Sequence, residues 1–177
     1  MMGTEAGLSE ALKAFLDAAL NGTHLEKPEA QQALMPGALH VGDEGLEHEE
    51  GSAGVEKVSV YESFVPPDDS DASYFPYMSI FIVSGTFGQD RCSAKVQLDC
   101  GTYSSEEYGA DAHKALLNLI RRACFALSTV PNGWLGGRYH VDSPIEWSMS
   151  DTDRGHFFQG GIQCEFSWDA PQIPNFN

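Results

Sequence analysis

Basic side chains are scarce in this 177-residue chain, where 10 Lys and Arg stand against 26 Asp and Glu for a formal net charge of −16. Nucleic-acid binding through a basic footprint is disfavoured, because neutralising phosphates takes clustered Lys and Arg. Long apolar runs are also missing, and none approaches the ~20 residues that cross a bilayer as a helix. The opening Met1-Met2-Gly3-Thr4-Glu5 has neither the basic nor the apolar region of a secretory signal, so synthesis in the cytoplasm is expected. Cysteine is limited to Cys92, Cys100, Cys124 and Cys164, with no CxxC pair. Buried thiols in a reducing compartment fit that spacing better than a four-thiolate zinc site, which needs two close pairs. There is no G-x-S-x-G elbow, no phosphate loop ending in Lys-Ser/Thr and no H-E-x-x-H.

What is present is enough hydrophobic sequence, 42% with 11% aromatic, to form a core. Ser104–Val130 is the segment the rest must pack around. Ser104-Ser105-Glu106-Glu107 suits a helix start, where a hydroxyl and a carboxylate three residues later satisfy orphan N–H groups. Tyr108, Ala112, Ala115, Leu116, Leu119, Ala123 and Leu127 then recur at helical spacing, with Asp111, Lys114, Asn118, Arg121 and Arg122 mostly off that side. Pro131-Asn132-Gly133 stops the helix. Leu8, Leu12, Phe15, Leu16 and Ala19 predict a shorter N-terminal helix that begins near Thr4 and ends at Asn21-Gly22.

The strands follow from period-two patterns. Lys57–Val65 alternates, Tyr77–Val83 is nearly all apolar as for a strand buried on both faces, and Gly85–Asp90 reads as a loop. Cys92, Ala94, Val96, Leu98 and Cys100 alternate with polar residues. Tyr139-His140-Val141 and Pro144–Met149 are strand segments beyond a Gly136-Gly137-Arg138 joint, and Phe158, Gly160, Ile162, Cys164, Phe166 and Trp168 share one face of the last strand. The expected fold is α+β: an antiparallel or mixed sheet of about five strands against one long helix and an N-terminal helix. One domain covers residues 1–177, with residues 23–54 as an acidic Gly/Pro-rich loop or insertion that includes a possible short strand at His40-Val41.

Candidate chemistry is sparse. Asp43, Glu44, Glu47, Glu49 and Glu50 are packed too densely to lie against a core and read as a solvated loop; His48 among them lacks metal-ligand spacing. Asp68, Asp69 and Asp71 miss the spacing and closing Glu of a calcium loop. His113 has Glu107 and Asp111 near it but no nucleophile, Cys124 being about three turns away. His140 and His156 flank the loop between the last two strands and could meet across it, but no third or fourth ligand accompanies them. Gly133-Trp134-Leu135-Gly136-Gly137 lacks the strand-before, helix-after setting of a phosphate cradle and reads as a turn or hinge.

Three stretches carry a resemblance. They are Tyr74-Phe75-Pro76-Tyr77-Met78-Ser79-Ile80 after an acidic loop, the strand Ala94–Asp99 linked to a helix ending Leu119-Ile120-Arg121-Arg122, and Gly137-Arg138-Tyr139-His140-Val141 with Pro144-Ile145 before the Phe157–Trp168 strand. Their succession, from about Val55 to Trp168, resembles the tail-terminator and tail-completion proteins of long-tailed (siphovirus-like) bacteriophages. The resemblance implies a non-enzymatic virion protein without cofactor or metal. It would form a homo-oligomeric ring, commonly a hexamer, that caps the head-proximal end of the tail tube. It further implies partners in the major tail tube protein and a neck or head-completion protein, DNA passing through the lumen without specific binding, and no membrane. On that reading Asp43, Glu44, Glu47, Glu49, Glu50, Asp68, Asp69 and Asp71 are candidate lumen or interface acids, and Arg121, Arg122, Arg138 and Arg154 are candidate inter-subunit or tube contacts. Two other classes stay open: a stopper or head–tail joining protein of the neck, and a small ligand-binding or metal-dependent enzyme domain.

Overall fold

Thr4 has extended backbone and its hydroxyl accepts a hydrogen bond from the Gly7 N–H, which starts helix α1 (Glu5–Ala19). Leu8, Leu12 and Leu16 recur at four-residue steps and are fully buried, each stabilising the fold by ~1.5–3 kcal/mol. The helix ends as the sequence predicts, with Leu20 capping and Gly22 at φ 84°. The computed structural model describes residues 3–27, 54–63, 74–105, 110–150 and 156–171. The fold is α+β.

Two short strands, β1 (His24–Lys27) and β2 (Gly54–Lys57), pair antiparallel. The ends of the 23–54 segment are therefore laddered to each other, while His40-Val41 lies outside the described residues. The stretch from Lys57 to Val65 is not one strand. Val58 interrupts it, its N–H bonding to the Thr23 carbonyl, and β3 (Ser59–Glu62) then pairs parallel with β4 (Tyr77–Phe87). Phe64 and Val65 lie outside the described residues.

The main sheet has six strands in the order β3-β4-β5-β8-β7-β6, where β5 is Arg91–Tyr103, β6 Trp134–Leu135, β7 Tyr139–Met149 and β8 Phe157–Asp169. Every neighbouring pair except β3–β4 is antiparallel. Of Gly85–Asp90, read as a loop, the first half (Gly85, Thr86 and Phe87) is strand and the second half, from Gly88 to Asp90, is the turn. β4 continues through Phe87, and a tight turn sealed by the Gly88 N–H to the Arg91 carbonyl leads into β5. Glycines and Thr86 obscured that continuation in the sequence. β4 is buried on both faces only over Tyr77–Ile80, and Val83 is 66% exposed. The segments Tyr139–Val141 and Pro144–Met149 form one strand with a bulge between Asp142 and Glu146. Three residues, Gly136, Gly137 and Arg138, join β6 to β7; both glycines take positive φ, 58° and 67°, and the Arg138 N–H donates to the Leu135 carbonyl.

Helix α2 spans Ala110–Ser128. Its buried Leu116, Leu119, Ile120, Ala123 and Leu127 join the α1 leucines, Met78, Ile80, Val96, Leu98, Ile162 and Phe166 in one core. Both helices thus cover the same face of the sheet. Ser104 is not helical, because β5 runs on to Tyr103 and Ser104 hydrogen-bonds to His156. Ser105 instead donates its N–H and hydroxyl to the Glu26 carboxylate of β1, at 2.8 and 3.2 Å. The predicted start at Glu106-Glu107, and Tyr108 beyond it, lie outside the described residues. At the other end α2 stops before a 3-10 turn at Pro131–Gly133, where Asn132 and Gly133 take positive φ.

Candidate functional site

The face of the sheet turned away from the helices is polar across its middle. On β5 it carries Lys95, Gln97 and Asp99, and on β8 Gln163 and Glu165, with Lys95 directly opposite Glu165 and Gln97 opposite Gln163. The Gln97 amide packs over Gly161, in the space a Cβ would take, and donates to Asp99 at 2.9 Å. Two bulges shape this face. β4 bulges between Ile82 and Ser84, β7 between Asp142 and Glu146, and both lie beside the level of Val96 and Cys164. The result is a hollow of about 280 Å³ that Val83 and Pro144 line from the two sides over Lys95, Gln163 and Glu165. A second polar hollow of about 310 Å³, lined by Tyr77, Asp99, Ser148 and Gln159, meets the first at Gln97.

One end of this face is closed by rings. Tyr74, Phe75, Tyr77, Tyr103 and Phe157 touch one another with centroids 4.9–5.4 Å apart. Burial, with Tyr74 and Asp99 nearby, raises the Tyr77 phenol from 10.0 to about 12. The opposite end holds a polar network. His140 Nδ1 lies 2.8 Å from Asp142 Oδ1, Asp142 is 3.9 Å from Arg91, and Arg91 donates to the Ser167 hydroxyl. Register sets Ser167 directly opposite His140, so a Ser, a His and an Asp share one corner of the sheet. It lacks triad geometry, which needs the second ring nitrogen on the hydroxyl. The Ser167 hydroxyl is held by Arg91, and His140 Nε2 faces Gly133 with Trp134 edge-on at 5.2 Å. Sequence reading missed Asp142, Arg91 and Ser167 because the β7–β8 and β5–β8 registers bring them together.

His140 and His156, which the sequence left free to meet across the loop, do not. His140 is opposite Ser167, whereas His156 packs on Tyr103 and hydrogen-bonds to Ser104, about ten residues and so ~33 Å away along β8. β8 runs the full length of the sheet between them. Among the described residues no group of three or more His, Cys, Asp or Glu is placed to hold a metal ion. All four cysteines are free; Cys92, Cys100 and Cys164 are buried and Cys124 is half-buried. Burial pushes the Cys100 and Cys124 thiols up and that of Cys164 to about 12, which keeps them protonated and poorly nucleophilic.

Of the candidate contact residues, Arg122 is engaged within the chain. It donates to the carbonyls of Ala19 and Asn21 and so ties α2 to the C-terminus of α1. Arg121 is exposed on α2, and half-buried Arg138 lines a depression of about 940 Å³ with Asp90, Trp134 and Trp168. Arg154 and the acids Asp43, Glu44, Glu47, Glu49, Glu50, Asp68, Asp69 and Asp71 lie outside the described residues. Large hydrophobics are exposed on both flanks of the main sheet, Val83 and Phe87 on β4 and Trp147 on β7, and Phe125 is exposed on α2. No protein-family model matches the sequence, and a search of curated proteins finds no relative. No described helix is long and apolar enough to cross a membrane.

Proposed function

We propose that this chain is a structural virion protein, a subunit of the ring that closes the head-proximal end of a long-tailed phage's tail tube and joins it to the neck. One observation carries the reading. Among the described residues the sheet is covered by helices on one face only, and β4 and β7, each next to a short outermost strand on opposite sides, expose large hydrophobics, Val83 and Phe87 on one and Trp147 on the other. Two different sticky flanks on one subunit suit head-to-tail association, which closes into a ring when the rotation allows and leaves no free lateral end. The order of strands and helix that carries the resemblance to tail terminators supports the same assignment.

The mechanism follows from shape. Tube subunits add through an interface on the last ring, so a terminator engages that interface and does not regenerate it. The excess of acidic residues, −16 in all, favours DNA sliding through the lumen over DNA binding. Deleting the protein is expected to leave tails of uncontrolled length or tails that fail to join heads. Normal, joined tails in the deletion would overturn the proposal. A stopper or head–tail joining protein shares the ring habit and is separated by co-purification, with filled heads for those proteins and with tails for this one.

A further inference from the structure

We propose that α2 of one copy docks on the sheet face that the next copy turns away from its own helices. The inference rests on the ring reading and says which surfaces meet. α2 has two sides. Leu116, Leu119, Ile120, Ala123 and Leu127 are buried in the core, whereas Lys114, Asn118, Arg121, Phe125 and Ser128 recur at four- and three-residue steps as an exposed ridge opposite them. Phe125 is 69% exposed. From His113 to Ser128 the helix carries Lys114, Arg121 and Arg122 and no carboxylate, in a chain with 10 basic residues against 26 acidic ones. A basic ridge with an exposed aromatic ring is complementary to an acidic surface with an apolar-walled hollow.

The polar face of the sheet has that chemistry. Among the described residues no helix covers it, and Asp99, Asp142, Glu146 and Glu165 outnumber Arg91 and Lys95 there. Arg91 is already engaged by Ser167 and Asp142. Lys95 and Glu165 lie directly opposite each other yet form no ion pair with one another. Glu146 and Glu165 line the 280 Å³ hollow together with Val83 and Pro144. That hollow therefore offers two apolar walls and two carboxylates, and the ridge offers Phe125 with Arg121 one turn before it. Phe125 enters between the walls and Arg121 meets the carboxylates.

Dimensions agree. Val83 and Pro144 stand three strand spacings apart, ~14 Å, which admits a helix of about 10–12 Å diameter between them. From Lys114 to Ser128 the ridge is ~21 Å long. Along β5 the polar face runs ~26 Å from Arg91 to Asp99, short of the rings that sit over Gly101. α2 and this face lie on opposite sides of the sheet, so the contact is head-to-tail: each copy donates a helix on one side and receives one on the other. Closure of the ring leaves neither surface bare.

The test is thiol cross-linking in the full chain. Ser128→Cys on the ridge and Val83→Cys on the hollow, both exposed positions, are made as separate variants in a Cys124→Ala background, mixed with tail-tube protein present, and treated with a short bis-maleimide. The mixture is expected to give a cross-linked dimer, each variant alone none, and the double variant a ladder ending at the ring size. Arg121→Glu in the same mixture is expected to lower the cross-linked yield several-fold while thermal unfolding stays unchanged. A yield that Arg121→Glu leaves unchanged overturns the docking as stated. A ring-sized mass without the mixed dimer overturns the docking and leaves the ring reading standing. A ladder that runs on past any fixed size keeps the docking and overturns the closed ring. Cross-linking of Ser128→Cys with itself overturns the docking in favour of two-fold pairing of α2. A chain that stays monomeric with and without the tube protein overturns both.

Discussion

The Tyr139 hydroxyl accepts a hydrogen bond from the Thr4 N–H at 3.2 Å and donates one to the Thr4 carbonyl at 3.0 Å, joining β7 to the cap of α1 across most of the chain. Tyr139 is 2% exposed and its ring meets Trp168 edge-on at 5.6 Å. Tyr139→Phe keeps the ring and loses both bonds, so it is expected to destabilise by ~1 kcal/mol. Thermal unfolding checks this, with a drop of about 2–4 °C for a chain of this size.

Gly101 lies beneath the aromatic cluster, where a Cβ would enter the Tyr77 ring and sit 2.6 Å from the Phe75 ring. Gly101→Ala is expected to cost ~1–3 kcal/mol through overpacking. In a urea titration, Gly101→Ala with Tyr77→Ala should cost less than the two single changes added together, because the second change removes the closer of the two ring clashes and gives the Phe75 ring room to move. Simple additivity would show that the rings do not rest on the glycine.

Stability is expected to fall with pH in the alkaline range. The folded chain holds the protons of Tyr77 and Cys164 up to about 12, against ordinary values of 10.0 and 9.0. Their contribution is complete below pH 9 and is lost as pH rises towards 12, since the unfolded chain releases these protons first. Urea midpoints at pH 8 and 10.5 measure the slope. Cys164→Ala flattens it from about pH 9 upward and Tyr77→Phe from about pH 10.

Arg122 binds the carbonyls at the end of α1 from an exposed position on α2. Arg122→Gln is expected to cost ~0.5–1.5 kcal/mol and to raise amide exchange in the last turn of α1. Arg121→Gln, one residue away, should leave both unchanged. Equal effects from the two variants would assign the change to helix charge alone.

Amphipathic periodicity made both helices, strand β5 and the inward face of β8 legible without coordinates, because residues such as Leu116 and Leu119 or Ala94 and Val96 face a core only if the backbone has that period. Capping and turn chemistry were local in the same way at Thr4, Gly22 and Asn132. Pairing partners were not. Nothing local to His140 and His156 says that β8 holds them at opposite ends of the sheet, or that Ser167 and Arg91 meet near Asp142. Strand ends were hidden where a bulge or glycine broke the alternation, as at Gly85 and Pro144. The sequence by itself determined the two one-sided helices, the alternation of the long strands β5 and β8 and the acidic balance, since the periodic patterns depend on residues a few positions apart. Only tertiary structure decided the order in which the strands lie and at what level their bulges fall, because register is set by hydrogen bonds between segments distant in the chain.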